Sequence, residues 1–207
     1  MASDFPVAEG SAHMLLPVLP MQDVCLFPEA SLTVGIDRPA VLQAVEVAAR
    51  TGGRLLAVAQ VEATTGNPGA ADLHPIGTIA ELAEFTRPAE GEGLVSLDGL
   101  RRGQLVSVVG STTLVAEVEP LEEGDADDEW GAAVEALARY LHAHSELRQF
   151  LDQQRRSQEP IAWVNLACQH LPITVSARQK LLAADAVERC AKISRGLDAL
   201  LRKEQAT

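Results

Sequence analysis

Residues 38–59 read RPAVLQAVEVAARTGGRLLAVA, and the hydrophobic period changes inside this stretch. Val41, Leu42, Val45, Ala48 and Ala49 recur at three- and four-residue spacing, which puts them on one face of a helix over residues 38–50. Pro39 suits the first helical turn, where its missing N–H is not needed. Gly52 and Gly53 supply a C-terminal stop. Leu55-Leu56-Ala57-Val58-Ala59 then reads as a buried strand. One amphipathic helix feeding a buried strand cannot bury its own apolar face, so the flanking segments must complete a β-rich unit.

They have the required character. Leu15-Leu16-Pro17-Val18-Leu19-Pro20 is a short extended segment whose prolines fit an edge or a strand end. Val24-Cys25-Leu26-Phe27 and residues 31–36 are further short apolar runs, punctuated by Pro28 and Gly35. Downstream, residues 64–72 read as a loop and residues 76–85 as a strand entered through Gly77. Residues 88–93 read as a turn and 94–97 as the returning strand; 105–109 and 114–118 are two more, joined by Gly110-Ser111-Thr112-Thr113. Short strands at regular intervals with one interposed helix predict a small closed or nearly closed barrel.

Residues 119–129 hold seven carboxylates, Glu119, Glu122, Glu123, Asp125, Asp127, Asp128 and Glu129. The run lacks the glycine and terminal glutamate of a calcium loop. It reads as a solvated linker leading into a helix N-terminus, where acids favour the macrodipole. The expected organisation is a leader over residues 1–13, a β-rich domain over 14–121 and a helical bundle over 122–207. In the last part, Trp130, Val134, Leu137 and Leu141 form one stripe, and Ile161, Val164, Cys168 and Leu171 form another between Pro160 and Pro172. Ser176 with Gln179 and Asp185 with Glu188 read as capping boxes. The last stripe is Val187, Cys190, Ser194, Leu197 and Leu201, so four helices are expected to pack together.

Composition narrows the function classes. Aromatics are only 3% of residues, so the core must be aliphatic. A formal net charge of −12 repels phosphate backbones and argues against general nucleic-acid binding. The paired basics Arg101-Arg102 and Arg155-Arg156 have no interleaved aromatics and read as solvated surface. Cys25, Cys168 and Cys190 are an odd set without metal-ligand spacing, which fits free thiols in a reducing cytosol. No apolar run approaches the roughly 20 residues of a membrane span. The chain therefore reads as soluble and cytoplasmic.

Chemical motifs are absent. There is no phosphate loop, no dinucleotide fingerprint and no nucleophile elbow. His142 and His144, two apart on a helix, diverge too far to share a metal. Cys168 and His170 have the same defect as a nucleophile–base pair, and Cys168 lies on an apolar stripe. His13 and His74 have no visible partner. Trp163 sits off its helix stripe, which suits core or inter-domain packing or a partly exposed interface anchor. No catalytic residue, cofactor or metal is expected.

Several segments in order resemble one family. Residues 16–28, LPVLPMQDVCLFP, are similar to the opening motif of the N-terminal, substrate-binding domain of Lon-type ATP-dependent proteases. Leu55-Leu56-Ala57-Val58-Ala59-Gln60, Ile76-Gly77-Thr78-Ile79-Ala80, residues 95–123 and residues 170–182 resemble its later segments, so the likeness covers about residues 15–203. Where the family continues after Phe-Pro with a glycine and a Pro-Leu pair, this chain has Glu29-Ala30-Ser31-Leu32-Thr33-Val34.

The resemblance implies an α+β fold, a PUA-like β pseudo-barrel followed by a C-terminal helical bundle. It also implies substrate recognition without catalysis, because the family's ATPase and peptidase domains lie downstream and the sequence read here stops at Thr207. The expected function is a non-enzymatic polypeptide-binding module, an adaptor or regulator of proteolysis. Its expected partners are unfolded or extended polypeptide, or a protease. The expected contact residues are Phe27, Leu32 and Trp163, in a groove between barrel and bundle or on an exposed apolar patch. A PUA-like module for a small ligand or RNA is the alternative, and an enzyme with an unfamiliar site is a third.

Overall fold

The structure is a computed structural model describing residues 13–62, 68–86, 93–109, 113–123, 127–157 and 159–205. The leader before His13, the turn at 88–92 and the turn at 110–112 lie outside the described residues, as do residues 64–67 of the expected loop.

Among the described residues the first half has six strands, one α-helix and a short 3-10 turn at Ala70–Asp72. In chain order the strands and the α-helix are β1 (Met14–Met21), β2 (Ser31–Ile36), α1 (Pro39–Arg50), β3 (Arg54–Ala59), β4 (Ile76–Thr86), β5 (Gly93–Val109) and β6 (Val115–Pro120). The strand order is β2-β5-β4-β3-β1-β6, and β6 pairs with β5 as well, so five strands close a ring. β2 hangs from β5 outside that ring. β1 and β3 run parallel, with Val18 opposite Leu56, and the helical crossover between them is α1. α1 begins at Pro39 as its spacing predicts, and Gly52 and Gly53 take φ of 99° and 78° beyond its end.

The all-apolar run of β3 is explained by two cores. Leu55 and Ala57 face one, with Val41, Val45 and Ala48 of α1 and Val95 and Leu97 of β5. Leu56 and Val58 face the other, with Leu16, Val18, Ile79, Ala116 and Val118.

The segments read as two strands, 94–97 and 105–109, are one strand of 17 residues. Register shifts against β4 between Ile79 and Ala80, and again between Leu82 and Glu84, let it bend and serve both halves of the ring. At one bend Gly99 receives the loop after β1. Its N–H donates to the Ala30 carbonyl at 2.9 Å, and its own carbonyl accepts from Glu29 N at 2.9 Å. A Cβ at Gly99 would lie 2.2 Å from the Phe27 carbonyl oxygen. Gly99→Ala is therefore expected to lower stability by about 1–3 kcal/mol, read as a shifted urea midpoint. An unchanged midpoint would mean that the loop is free to move away.

Among the described residues the second half has five helices, one more than its stripes suggested: α2 (Asp127–Ala143), α3 (Ser145–Gln154), α4 (Pro160–His170), α5 (Val175–Ala183) and α6 (Ala186–Gln205). α3 escaped because of its inward side chains only Leu151 is fully buried. α5 is capped by Thr174, whose hydroxyl accepts from Ala177 N, rather than by Ser176. Asp185 does accept from Glu188 N, at 2.8 Å. On α6 the buried apolar positions are Ala186, Cys190, Ile193 and Leu197, with Arg189 buried beside them, while Val187 stays exposed.

Barrel and bundle share a core. Cys25, Phe27, Ala30 and Ala59 from the first half pack with Trp130, Leu137, Val164, Leu182 and Leu197 from the second.

Candidate functional site

Two of the expected contact residues, Phe27 and Trp163, lie in one buried core, and Leu32 packs against another. Phe27 is 0% exposed and its ring lies in the shared core, with the Arg189 guanidinium 6.0 Å above it. Trp163 is also buried, its ring covered by Arg155 at 4.9 Å. Leu32 is half-buried on β2, packed against the α1 side of the barrel. Neither aromatic ring is presented to solvent.

The loop between β1 and β2 holds the two halves together through buried side-chain amides. Phe27 N donates to Gln169 Oε1 at 3.1 Å, and Gln169 Nε2 donates to the Ser31 carbonyl at 2.9 Å. Gln179 Nε2 donates to the Ile76 carbonyl at 2.7 Å. Thr78 Oγ1 donates to the Leu26 carbonyl at 2.6 Å.

A buried charge cluster joins the same halves. Arg102 of β5 donates to Glu123 Oε1 at 2.8 Å from Nε and to the Glu122 carbonyl at 2.9 Å from Nη2. Arg189 of α6 sits 3.0 Å from Glu123 Oε2 on its other side. Arg189 also donates to Asn165 Oδ1 at 2.8 Å and to the Leu181 and Ala184 carbonyls, each at 3.0 Å. Burial pulls the Arg189 pKa down, and Glu123 acts against that. The sequence reading is corrected twice here. Arg101 is exposed as expected, but Arg102 is 3% exposed, so the pair is no basic surface patch. Glu123 is not part of a solvated run; it is the anion between two guanidiniums.

The thiols are inert by placement. Burial pushes Cys25 up to about 11 and both Cys168 and Cys190 to about 12. Thiol-specific disulfide reagents at pH 8 are expected to react at least about a hundredfold more slowly with the native protein than with the urea-unfolded chain, Cys25 being the fastest of the three. A fast native thiol would contradict that placement. Among the described residues no three His, Cys, Asp or Glu side chains converge as metal ligands. His144 instead stacks on Tyr140 at 4.0 Å and bonds its carbonyl at 2.8 Å.

One cleft stands out. It has a volume of about 340 Å³, within the size range of small-ligand pockets. One wall is the end of β1 and the turn after it, from Leu19 to Val24; the other is the end of β2 and the start of α1, from Val34 to Val41. The topology accounts for the opening. β6 pairs with β1 only at residues 14–17, so residues 18–21 have β3 on one side and no strand on the other. β2 likewise pairs with β5 alone. The floor is apolar, with Leu19, Met21 and Ile36 buried. At the rim, Asp23 and Asp37 are exposed, and Asp23 takes a left-handed φ of 56°. No sequence signal marks this cleft, because it is a gap in pairing between segments distant in the chain.

The description of the ATP-dependent protease La (LON) substrate-binding domain matches residues 15–199. The chain belongs to this family. Among its relatives, the Lon protease of Xanthomonas oryzae pv. oryzae is 30% identical over 190 residues, covering 86% of this chain and 22% of that protein. Lon protease 1 of Thermus thermophilus is 30% identical over 196 residues, covering 90% and 24%. The chain thus spans under a quarter of the length of these relatives. Among solved structures, the N-terminal domain of the Mycobacterium avium complex Lon protease superposes with a TM-score of 0.72 at 22% identity, covering 89% of this chain and 98% of that one. A Lon N-terminal domain protein from Xanthomonas campestris gives 0.56 at 20% identity, covering 87% and 96%. The expected α+β fold is that of these Lon N-terminal domains. No helix among the described residues is long and apolar enough to cross a membrane.

Proposed function

We propose that this chain is a non-catalytic module that recognises polypeptide for proteolysis, holding unfolded or extended segments for a protease partner. The observation that carries the reading is membership of a substrate-binding family together with an open, apolar-floored cleft where the sheet leaves two strand edges unpaired. The buried features fit this role. The ion cluster is paired within the protein, Gln169 and Gln179 bond the main chain of the first half, and the thiols are held protonated, so these interior groups serve architecture. Recognition is then left to its surface.

The test is a titration of a fluorescently labelled, permanently unfolded polypeptide with this protein, read by anisotropy at low and high salt. Saturable binding that persists at high salt is expected, because apolar contact is not screened. No binding at about 100 µM protein, where a complex worth about −5.5 kcal/mol would be half formed, would overturn the reading.

A further inference from the structure

We propose that the cleft takes its polypeptide as an added strand on the free edge of β2. An apolar side chain of the guest would enter the floor, and a lysine or arginine would sit at the rim formed by Asp23 and Asp37. This rests on the polypeptide-binding reading above and specifies its geometry and substrate class.

Three observations carry it. First, the two edges facing the cleft are not equivalent. On β1, Pro20 has no N–H to offer, and its carbonyl already accepts from Arg38 Nη2 at 3.0 Å. That edge is closed to a guest. β2, SLTVGI, contains no proline and no charged residue, the devices that normally blunt an exposed edge. Thr33 and Gly35 are exposed along it. The Ser31 carbonyl at its start is taken by Gln169 Nε2 at 2.9 Å, so the main-chain groups beyond it, at Thr33 and Gly35, are the template for β-augmentation.

Second, side chains alternate along an added strand, so every other guest residue would face the cleft. There Leu19, Met21 and Ile36 are already buried, and the half-buried Val24 and Val34 are the apolar side chains a guest could cover, within a lining whose open surface is otherwise largely polar. Third, the rim has a sign. Asp23 and Asp37 line the cleft, and neither carboxylate has a hydrogen-bond or ion-pair partner among the described residues. The one cationic residue of the lining, Arg38, is held against the Pro20 carbonyl and offsets one of the two carboxylates, so the rim keeps a net negative charge of one. A basic guest residue would neutralise the rim, whereas an acidic one would add to a chain already at −12.

The experiment uses the whole chain and a labelled ten-residue peptide alternating valine and lysine, compared with valine–glutamate and with two N-methylated forms. One form is methylated at the odd amides, the other at the even amides. An added strand points only one of these sets at the edge. One methylated peptide is therefore expected to lose about tenfold or more in affinity, while the other binds like the parent. The double variant Asp23→Asn with Asp37→Asn is expected to weaken the lysine peptide about threefold to tenfold at low salt and not to weaken the glutamate peptide. Both positions are exposed, and asparagine tolerates the left-handed backbone at 23, so the variant keeps its fold.

Equal affinity of both methylated forms would overturn strand addition, and equal affinity for lysine and glutamate peptides would overturn the charge preference. A concentration-dependent dimer that the peptide dissociates would give the edge to a second copy of this chain, which also overturns the proposal. Binding of unfolded protein without any of these peptides would sink the inference and leave the broader reading intact. Binding of neither would remove both.

Discussion

Glu123→Gln is expected to cost about 3–5 kcal/mol of stability. The side chains of Arg102 and Arg189 are 4% and 0% exposed, and Glu123 is the carboxylate between them. With a neutral amide at 123, two guanidiniums would remain in a medium that solvates them poorly, and their mutual repulsion would be uncompensated. With a urea slope of about 2 kcal/mol per molar, the midpoint should fall by about 1.5 to 2.5 M. The cluster ties β5, the linker and α6 together, so both halves should lose structure in one transition. A loss below about 1 kcal/mol would show that water reaches the arginines. Replacing all three residues by apolar side chains of similar volume should cost much less than Glu123→Gln, because no charge would then be stranded.

Phe27→Ala is expected to cost a similar amount, about 3–5 kcal/mol, for a different reason. The ring is 0% exposed and lies in the core shared by barrel and bundle, so truncation opens a cavity at the joint. Its backbone N–H is also held by Gln169, which limits how far the loop can collapse into the space. Phe27→Leu, which keeps most of the volume, should cost less than about 1.5 kcal/mol. This pair separates support of the fold from contact with a bound polypeptide. The alanine variant is expected to lose binding together with its near-ultraviolet circular dichroism, and the leucine variant to keep both. A leucine variant that is fully folded yet fails to bind would place the ring in the contact surface.

What sequence reasoning reaches here is what periodicity encodes. The apolar face of α1, its Pro39 start and its double-glycine stop are local, and they appear in the structure where the spacing puts them. The unbroken apolar run of β3 implied a buried strand, and in the structure two cores meet on its two faces. The order of several short segments carried the family resemblance, and the fold followed from it. The length of β5 was less legible, since a bulge lets one strand change partners without ending and leaves a glycine that looks like a turn. α3 hides because a helix that buries little carries little apolar signal.

The charge cluster and the cleft were decided by tertiary structure alone. Arg102 and Glu123 are 21 positions apart, and Arg189 is 66 beyond Glu123. Each residue by itself reads as a solvated charge, because the energy that makes it buried belongs to partners the chain brings together only on folding. The cleft likewise exists because β6 pairs with one half of β1 and leaves the other half bare. The sequence by itself therefore determined which segments become helix or strand and which family they form, since those follow from local period and order. Which charges are buried and where the sheet stays open were fixed by strand pairing and packing across the whole chain.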